Sequence, residues 1–293
     1  MRFGLTTPIV TRHPDHAAAW EETAGPDEIA RIAVAADQLG YHHVTCSEHV
    51  AIPASVVPVR GARYYDPLAT FGFLAAQTTR LRFVTHVLVL PYHHPLALAK
   101  RYGTLDRLSR GRLVLGVGVG TLSEEFALLG VPFEGRGAAY EDALRALRAA
   151  LAGPTPTYRG RYYRFEAVVV DPCAAQAHVP LWLGGRTPRS LRRALVYADG
   201  WDPFRLTLDD LAALVRRARE WPEWRERTLR FDLVLTPDAA LDPVAQRAAT
   251  IEAVGRYEAI GATILNLRFL HRSLEEYLDQ LAAFAATVSR QFA

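Results

Sequence analysis

The chain has 293 residues, of which 50% are hydrophobic and 22% are charged. This composition supplies enough apolar material for a large buried core and excludes an intrinsically disordered chain. The 34 Lys and Arg residues nearly balance the 31 Asp and Glu residues, so the formal net charge is only +3. Because no run of five basic residues accompanies this balance, we expect no nucleic-acid binding.

No segment predicts export, membrane insertion or a metal centre. The start of the chain lacks a signal-peptide core, and no uncharged apolar stretch reaches the ~18 residues of a membrane span. Cys46 and Cys173 form neither a disulfide framework nor a CxxC motif, which favours a reducing, cytoplasmic location. The histidines include no HExxH motif, and the side chains of His42 and His43 are expected on opposite faces of one strand.

Short apolar segments alternate with amphipathic helices along the chain. Eight segments predict strands: 3–6, 41–46, 81–90, 112–119, 179–183, 200–203, 229–235 and 263–269. The clearest predicted helices cover residues 27–39, 66–77, 95–108 and 137–151, with more between the later strands. Strands and helices alternate without two-residue hairpin turns, which favours a parallel sheet with right-handed crossovers.

This order predicts an α/β protein with one domain over residues 1–293, a (β/α)8 TIM barrel. An open doubly wound sheet is the alternative, but it usually carries GxGxxG after its first strand. Here Thr6-Thr7-Pro8 follows the first strand, so the closed barrel is preferred. Insertions are expected after strands 1, 2 and 4, and residues 158–163 predict a small hairpin before the fifth strand.

Barrel active sites form at the carboxyl ends of the strands, so these exits hold the candidate residues. Glu48 and His49 follow strand 2, where a histidine can exchange a proton near neutral pH or serve a structural role. Gly118, Val119 and Gly120 follow strand 4 without GxGxxG spacing. Alternating glycines there would keep the mouth flat enough for a planar ring.

The exit of strand 5 reads Gly184-Gly185-Arg186-Thr187-Pro188. Thr187 can cap a helix that begins at Pro188, and the two glycines let the backbone approach a ligand closely. Free N–H groups and the helix dipole would favour a phosphate, with Arg186 or Arg189 adding charge. The alternative is a tight strand-to-helix turn without a ligand.

These motifs, in this order, resemble those of the luciferase-like monooxygenase superfamily. The chain is most similar to its bacterial branch of oxidoreductases that depend on the deazaflavin coenzyme F420. The matching segments are Ser47-Glu48-His49, Tyr65-Asp66-Pro67-Leu68, Leu74-Ala75-Ala76, Val87-Leu88-Val89-Leu90-Pro91-Tyr92, Leu105-Asp106-Arg107-Leu108-Ser109-Arg110-Gly111-Arg112, Leu115-Gly116-Val117-Gly118-Val119-Gly120, Leu129-Gly130-Val131-Pro132-Phe133, Gly184-Gly185 and Ala198-Asp199-Gly200-Trp201.

The resemblance implies a deazaflavin or flavin mononucleotide (FMN) in the barrel mouth. It also implies a non-prolyl cis peptide at the end of strand 3, which by position is His86-Val87. Glu48 and His49 become the candidate catalytic residues. The candidate cofactor-binding residues are His86, Val87, Gly118, Val119, Gly120, Gly184, Gly185, Arg186 and Thr187.

The chain departs from the family pattern at two places. Relatives usually carry a small residue at the position of His86, so the pocket beside the ring is expected to differ. The loop after Gly120 reads Thr121-Leu122 where relatives often have Gly-Trp, which predicts a reshaped substrate side and leaves F420 and FMN as alternative cofactors. Residues 11–25, with Trp20, predict a long first loop that serves as a substrate lid.

The leading hypothesis is hydride transfer between reduced F420 and a small organic substrate, with His49 moving the accompanying proton and Glu48 orienting His49 or the cofactor. The alternative is a two-component monooxygenase that uses FMN reduced by a separate reductase. A barrel that binds a flavin without turnover is the third possibility. The resemblance further predicts a homodimer.

Overall fold

A computed structural model describes residues 1–292 of the chain, and within them eight parallel strands form a closed barrel. The strands are β1 (Arg2–Leu5), β2 (His43–Cys46), β3 (Arg82–Thr85), β4 (Leu113–Gly118), β5 (Leu181–Gly184), β6 (Gly200–Asp202), β7 (Asp232–Leu235) and β8 (Ile264–Leu267). Each strand pairs with the next along the chain, and β1 pairs with β8 to close the ring. The predicted TIM barrel is therefore confirmed.

Helices surround the barrel and connect successive strands. The eight longest are α1 (Pro26–Leu39), α2 (Pro67–Ala75), α3 (Pro95–Leu108), α4 (Arg136–Leu151), α5 (Pro188–Tyr197), α6 (Leu208–Ala218), α7 (Arg247–Ile260) and α8 (Leu274–Thr287). Short helices cover Val57–Arg60, Ser123–Leu128 and Pro222–Arg225, and 3-10 turns cover Ala19–Glu22, Ala54–Val56, Leu90–Tyr92 and Ser289–Gln291. Across residues 1–292, no helix has the length and apolarity that crossing a bilayer requires.

The insertions lie where they were expected. Long connections follow β1, β2 and β4, and they place additional backbone around the carboxyl ends of those strands. The hairpin predicted at residues 158–163 is also present, with Tyr158–Arg159 antiparallel to Arg164–Phe165. It lies between α4 and β5, so it belongs to the opposite end of the barrel.

The prediction of one continuous strand over residues 81–90 is wrong. β3 ends at Thr85, a cis peptide bond joins His86 and Val87 as the resemblance predicted, and pairing resumes at Leu88–Val89. Val84 pairs with Val114 of β4, whereas Leu88 pairs with Val117. Four steps along one segment therefore match three along its partner, which is a one-residue bulge, a device often found beside active sites.

The expectation that His42 and His43 point apart is also wrong. Their Nδ1 atoms lie 2.9 Å from each other, and the ring of His43 is completely buried inside the barrel. β2 begins at His43, so His42 precedes the strand and the alternation of faces doesn't apply to it. Within residues 1–292, no group of three or more His, Cys, Asp or Glu side chains is placed to hold a metal ion.

The buried ring of His43 fits because β1 carries a glycine opposite it. A Cβ at Gly4 would lie only 2.1–2.3 Å from atoms of the imidazole. We expect Gly4→Ala to lower the free energy of unfolding by about 1–3 kcal/mol, since neither backbone nor ring has room to move in a packed interior. Denaturant unfolding monitored by circular dichroism measures this change.

Gly72→Ala is the matched control, because Gly72 lies in the middle of α2 and a Cβ there meets nothing within 4 Å. It should be neutral or stabilise by about 0.5–1 kcal/mol. Equal effects of the two substitutions would contradict the packing argument.

Candidate active site at the barrel mouth

The predicted site residues gather at the carboxyl ends of four consecutive strands. They follow β2, β3, β4 and β5, which are neighbours in the barrel wall. By strand, they are Glu48 and His49; His86 and Val87; Gly118, Val119 and Gly120; and Gly184, Gly185, Arg186 and Thr187. The barrel therefore brings residues from distant parts of the sequence to one mouth.

His49 is held by a carboxylate that the sequence analysis missed. Its Nδ1 lies 2.7 Å from Oε2 of Glu125, a completely buried side chain on the short helix after β4. Oε1 of Glu125 accepts the N–H of Val50 at 2.7 Å and that of Ala51 at 3.3 Å, and Oε2 also accepts the hydroxyl of Tyr92 at 3.1 Å. The carboxylate thus joins the loops that follow β2, β3 and β4.

These contacts determine the ionisation of Glu125. Burial raises the pKa of a carboxyl group, but the hydrogen bond and charge of His49, with the two N–H donors, outweigh burial and lower the pKa of Glu125. An ionised Glu125 accepts a proton-bearing Nδ1, so Nε2 of His49 is left to exchange a proton with a ligand. That nitrogen makes no hydrogen bond to residues 1–292, and the ring centroids of His49 and Tyr64 lie 4.5 Å apart in an edge-to-face arrangement.

Glu48 points away from His49 and belongs to a second pair. Its Oε1 lies 2.7 Å from Nε2 of His93, and its Oε2 accepts the N–H of Val89 at 2.7 Å. In this structure, Glu125 rather than Glu48 orients His49. A role of Glu48 toward a cofactor stays a prediction.

The glycines after β4 make room for side chains. A Cβ at Gly118 would lie 2.6 Å from a methyl group of Val87, and one at Gly120 would lie 2.5 Å from the ring of Phe126. Gly120 also has a φ of +78°, which favours glycine. The bulge after β3 places the methyl groups of Val87 against β4, where they cover the surface that the alternating glycines leave open.

The turn after β5 has the features of an anion site. Thr187 caps α5 as predicted, since its Oγ1 accepts the N–H of Ser190 at 3.2 Å. Gly185 has a φ of +125°, and a Cβ there would lie 2.6 Å from Cβ of Ser190. The N–H groups of Gly185 and Arg186 donate to no other residue of the described chain. They remain available at the positive end of a helix dipole.

The long first loop is tied to its surroundings. Nε1 of Trp20 donates to Nδ1 of His271 at 2.8 Å, and the buried carboxylate of Glu21 accepts the N–H groups of Ile9 and Ala18, both at 2.8 Å. A cavity of about 560 Å³ lies between this loop and the loop after β2. Its size suits a small organic molecule, and the role of residues 11–25 as a lid stays a prediction.

The family model described as luciferase-like monooxygenase matches residues 1–291. The chain belongs to this family. As a luciferase-like protein it is an oxidoreductase, and its barrel carries the cis peptide and the strand exits that the resemblance implied.

Two curated relatives illustrate the range of sequence similarity. The uncharacterised protein Rv0940c of Mycobacterium tuberculosis is 30% identical over 249 residues, covering 79% of this chain and 81% of the relative. The F420-dependent glucose-6-phosphate dehydrogenase of Nakamurella multipartita is 32% identical over 185 residues, covering 61% of this chain and 52% of the relative.

Two solved structures share the luciferase-like fold at lower identity. The monooxygenase RslO1 from Streptomyces bottropensis superposes with a TM-score of 0.79 at 22% identity, covering 100% of both chains. The oxygenating constituent of 3,6-diketocamphane monooxygenase from Pseudomonas putida, solved in complex with FMN, gives 0.76 at 16% identity, covering 99% of this chain and 98% of that one.

The contacts of Glu125 predict that its charge stabilises the mouth. We expect Glu125→Gln to lower the free energy of unfolding by about 1–3 kcal/mol, because it weakens charge-assisted hydrogen bonds to a buried group. Denaturant unfolding at neutral pH checks this value. Glu124→Gln is the control. The side chain of Glu124 is exposed and, within residues 1–292, accepts a hydrogen bond only from Ser123 Oγ, at 3.0 Å, so the substitution should change stability by no more than about 0.5 kcal/mol. Comparable losses in both variants would contradict this assignment.

Proposed function

We propose that this luciferase-like protein transfers a hydride between F420 and a small organic substrate at the barrel mouth. The observation that carries the proposal is the His49–Glu125 pair, an oriented proton carrier at the same mouth as the amides of Gly185 and Arg186, which have no acceptor within residues 1–292. A similar relative is F420-dependent by name. Proton transfer and anion binding are the two tasks that such a cofactor requires of its protein.

The residues present fit a planar cofactor with a phosphate. The methyl groups of Val87 form an apolar surface over the glycines of β4. The cofactor ring would lie against this surface and would be lined by His86, Val87, Gly118, Val119 and Gly120. A second set at the start of α5 would hold the phosphate through backbone N–H groups and a guanidinium: Gly184, Gly185, Arg186 and Thr187. The bound deazaflavin would supply the carbon that donates or accepts the hydride.

His49 manages the proton that accompanies the hydride. When a substrate carbonyl carbon is reduced, its oxygen gains negative charge, and Nε2 of His49 gives that oxygen a proton. In alcohol oxidation, the same nitrogen removes the hydroxyl proton. Glu125 keeps the ring in one orientation and stabilises the imidazolium, as the carboxylate of a catalytic His–carboxylate pair does.

The second candidate is oxygen insertion with reduced FMN. The similarity in fold to an FMN-bound monooxygenase favours it, and the same ring and phosphate residues would serve. This reading needs a separate reductase to supply reduced FMN, as the deazaflavin reading needs one to regenerate F420.

The outer surface supports a homodimer as a further proposal. Phe73 of α2, Leu108 at the end of α3 and Leu128 after β4 are all exposed apolar side chains. If two copies packed against each other through these helices, the apolar side chains would be removed from water.

Titration with oxidised F420 and, separately, with FMN tests the cofactor assignment. We expect F420 to bind at about micromolar Kd and FMN to bind at least about tenfold more weakly, measured by cofactor fluorescence. Preference for FMN would instead make oxygen insertion the function, checked by oxygen uptake with reduced FMN. Binding of neither would overturn both readings.

Turnover tests the role of His49. His49→Gln should bind the cofactor with an unchanged Kd and lower kcat about 10²–10⁴-fold, because it retains a polar side chain but can't carry a proton. Fluorescence titration gives the Kd of the cofactor, and steady-state absorbance of the deazaflavin at saturating substrate gives kcat. His94→Gln, at an exposed helix cap, is the control. Full turnover by His49→Gln would refute the assignment.

A further inference from the structure

His86 faces a buried carboxylate across the barrel. Its Nε2 lies 3.2 Å from Oδ2 of Asp202, the last residue of β6, whose side chain has no exposed surface. β3 and β6 aren't neighbours in the barrel wall, so this pair spans the interior just below the mouth. The side chain of His86 is 20% exposed.

A continuous series of polar contacts lies behind Asp202. Nδ2 of Asn266 is 3.3 Å from Oδ1 of Asp202, and Oδ1 of the same amide is 2.7 Å from Nε2 of His43. The Nδ1 atoms of His43 and His42 lie 2.9 Å apart, and Nη1 of Arg2 lies 3.3 Å from Nε2 of His42. The series runs from the amino end of β1 to the carboxyl end of β6.

The chemistry of Arg2 fixes the direction of these hydrogen bonds. A guanidinium can only donate, so His42 accepts at Nε2 and donates from Nδ1. His43 then accepts at Nδ1 and donates from Nε2 to Asn266, whose NH2 group faces Asp202. Burial lowers the pKa of His42 to about 2 and that of His43 to about 3, so both rings are neutral and carry the single N–H that this direction requires.

Asp202 is therefore the final acceptor, and one of its oxygens still needs a cation. Oδ2 receives no well-aligned hydrogen bond within residues 1–292, and an uncompensated buried carboxylate is costly. Burial by itself lowers the pKa of His86, but the negative charge of Asp202, whose Oδ2 lies 3.2 Å from Nε2 of His86, outweighs burial and raises that pKa above its ordinary value. The titratable groups that face His86 are the carboxylate of Asp202 on β6 and the neutral imidazole of His43 on β2.

We propose that His86 and Asp202 form an ion pair on the floor of the mouth, in which Nδ1 of the charged His86 donates to an anionic oxygen of the bound ligand. Nδ1 makes no hydrogen bond to residues 1–292, whereas Nε2 faces Asp202. The acceptor belongs either to the cofactor ring or to a substrate carboxylate or enolate. The pair is independent of the proposed function, and only the identity of its ligand rests on it.

Nitrogen NMR of the histidines in the full chain tests the charge of the pair. The His86 signals are identified by their loss in His86→Gln. We expect a pKa above about 6.5 in the wild type and below it in Asp202→Asn, because burial then acts without the compensating charge. A neutral His86 at pH 6 in the wild type, or an unchanged pKa in Asp202→Asn, would overturn the proposal. If Asp202→Asn does not fold, the titration of the wild type still tests the proposal, because a neutral His86 at pH 6 would overturn it.

Binding measurements identify the acceptor. Kd values for oxidised F420, FMN and benzoate are compared between His86→Gln and the wild type, two pH units below and above the measured His86 pKa. For the probe that carries the acceptor, the variant should bind roughly ten- to hundredfold more weakly at the lower pH and equally at the higher pH. At each pH, the Kd of the variant is divided by the Kd of the wild type. Titration of the probe itself affects both Kd values equally and therefore cancels in this ratio.

The outcomes separate the two sources of the anionic oxygen. If His86→Gln loses affinity for F420 or FMN at the lower pH, the acceptor belongs to the cofactor; if it loses affinity for benzoate, the acceptor belongs to the substrate. If the wild type binds benzoate but neither cofactor, and His86→Gln loses affinity for benzoate, the His86–Asp202 pair is supported and the proposed cofactor is refuted. Ratios near one for all three probes overturn the proposal. His178→Gln, at an exposed His–Asp pair with Asp199 outside the barrel, is the matched control and should leave every ratio near one.

Discussion

The mouth of this barrel is organised by the need to compensate buried negative charge. Glu48, Glu125 and Asp202 all lose their contact with water, which is costly for a carboxylate without a partner. Each carboxylate lies 2.7–3.2 Å from a histidine that follows a different strand from its own: Glu125 from His49 after β2, and Glu48 and Asp202 from His93 and His86 after β3. The positions of the three histidines therefore follow from where the barrel buries its carboxylates.

These pairs also connect the parts of the mouth mechanically. Two of them join the loops after β2, β3 and β4, while the third reaches across the interior from β3 to β6. Side chains held in this way are ordered before any ligand arrives, so a ligand need not supply the ordering free energy. Nε2 of His49 and the amides after β5 have no hydrogen-bond partner in the described part of the chain, and they are the groups to which a ligand would bind.

The division between the two ends of the mouth has a simple electrostatic basis. The β2–β4 side carries proton-exchanging groups, whereas the start of α5 presents a helix dipole and an arginine. A cofactor with a reactive ring and an anionic tail matches both ends. The proposed charge on His86 adds a third feature, a cation below the ring position.

Much of this could be predicted from the sequence. Alternating strands and helices gave the barrel, because the periodicity of apolar residues is local information. The cap at Thr187 and Pro188 was equally local, and the family resemblance supplied the cis peptide at His86-Val87. Glu125 was missed, although its position one turn into a helix after a strand exit was a usable signal.

The amino-acid sequence by itself determined the fold class, the strand exits and the residue types available at the mouth. Only the tertiary structure decided which of those residues meet. Glu48 and His49 are adjacent in sequence, yet each takes its partner from a distant segment, since successive side chains leave the backbone in different directions. The pairing of His86 with Asp202 depends on barrel closure, which sets β3 opposite β6 across a narrow interior that no local pattern encodes.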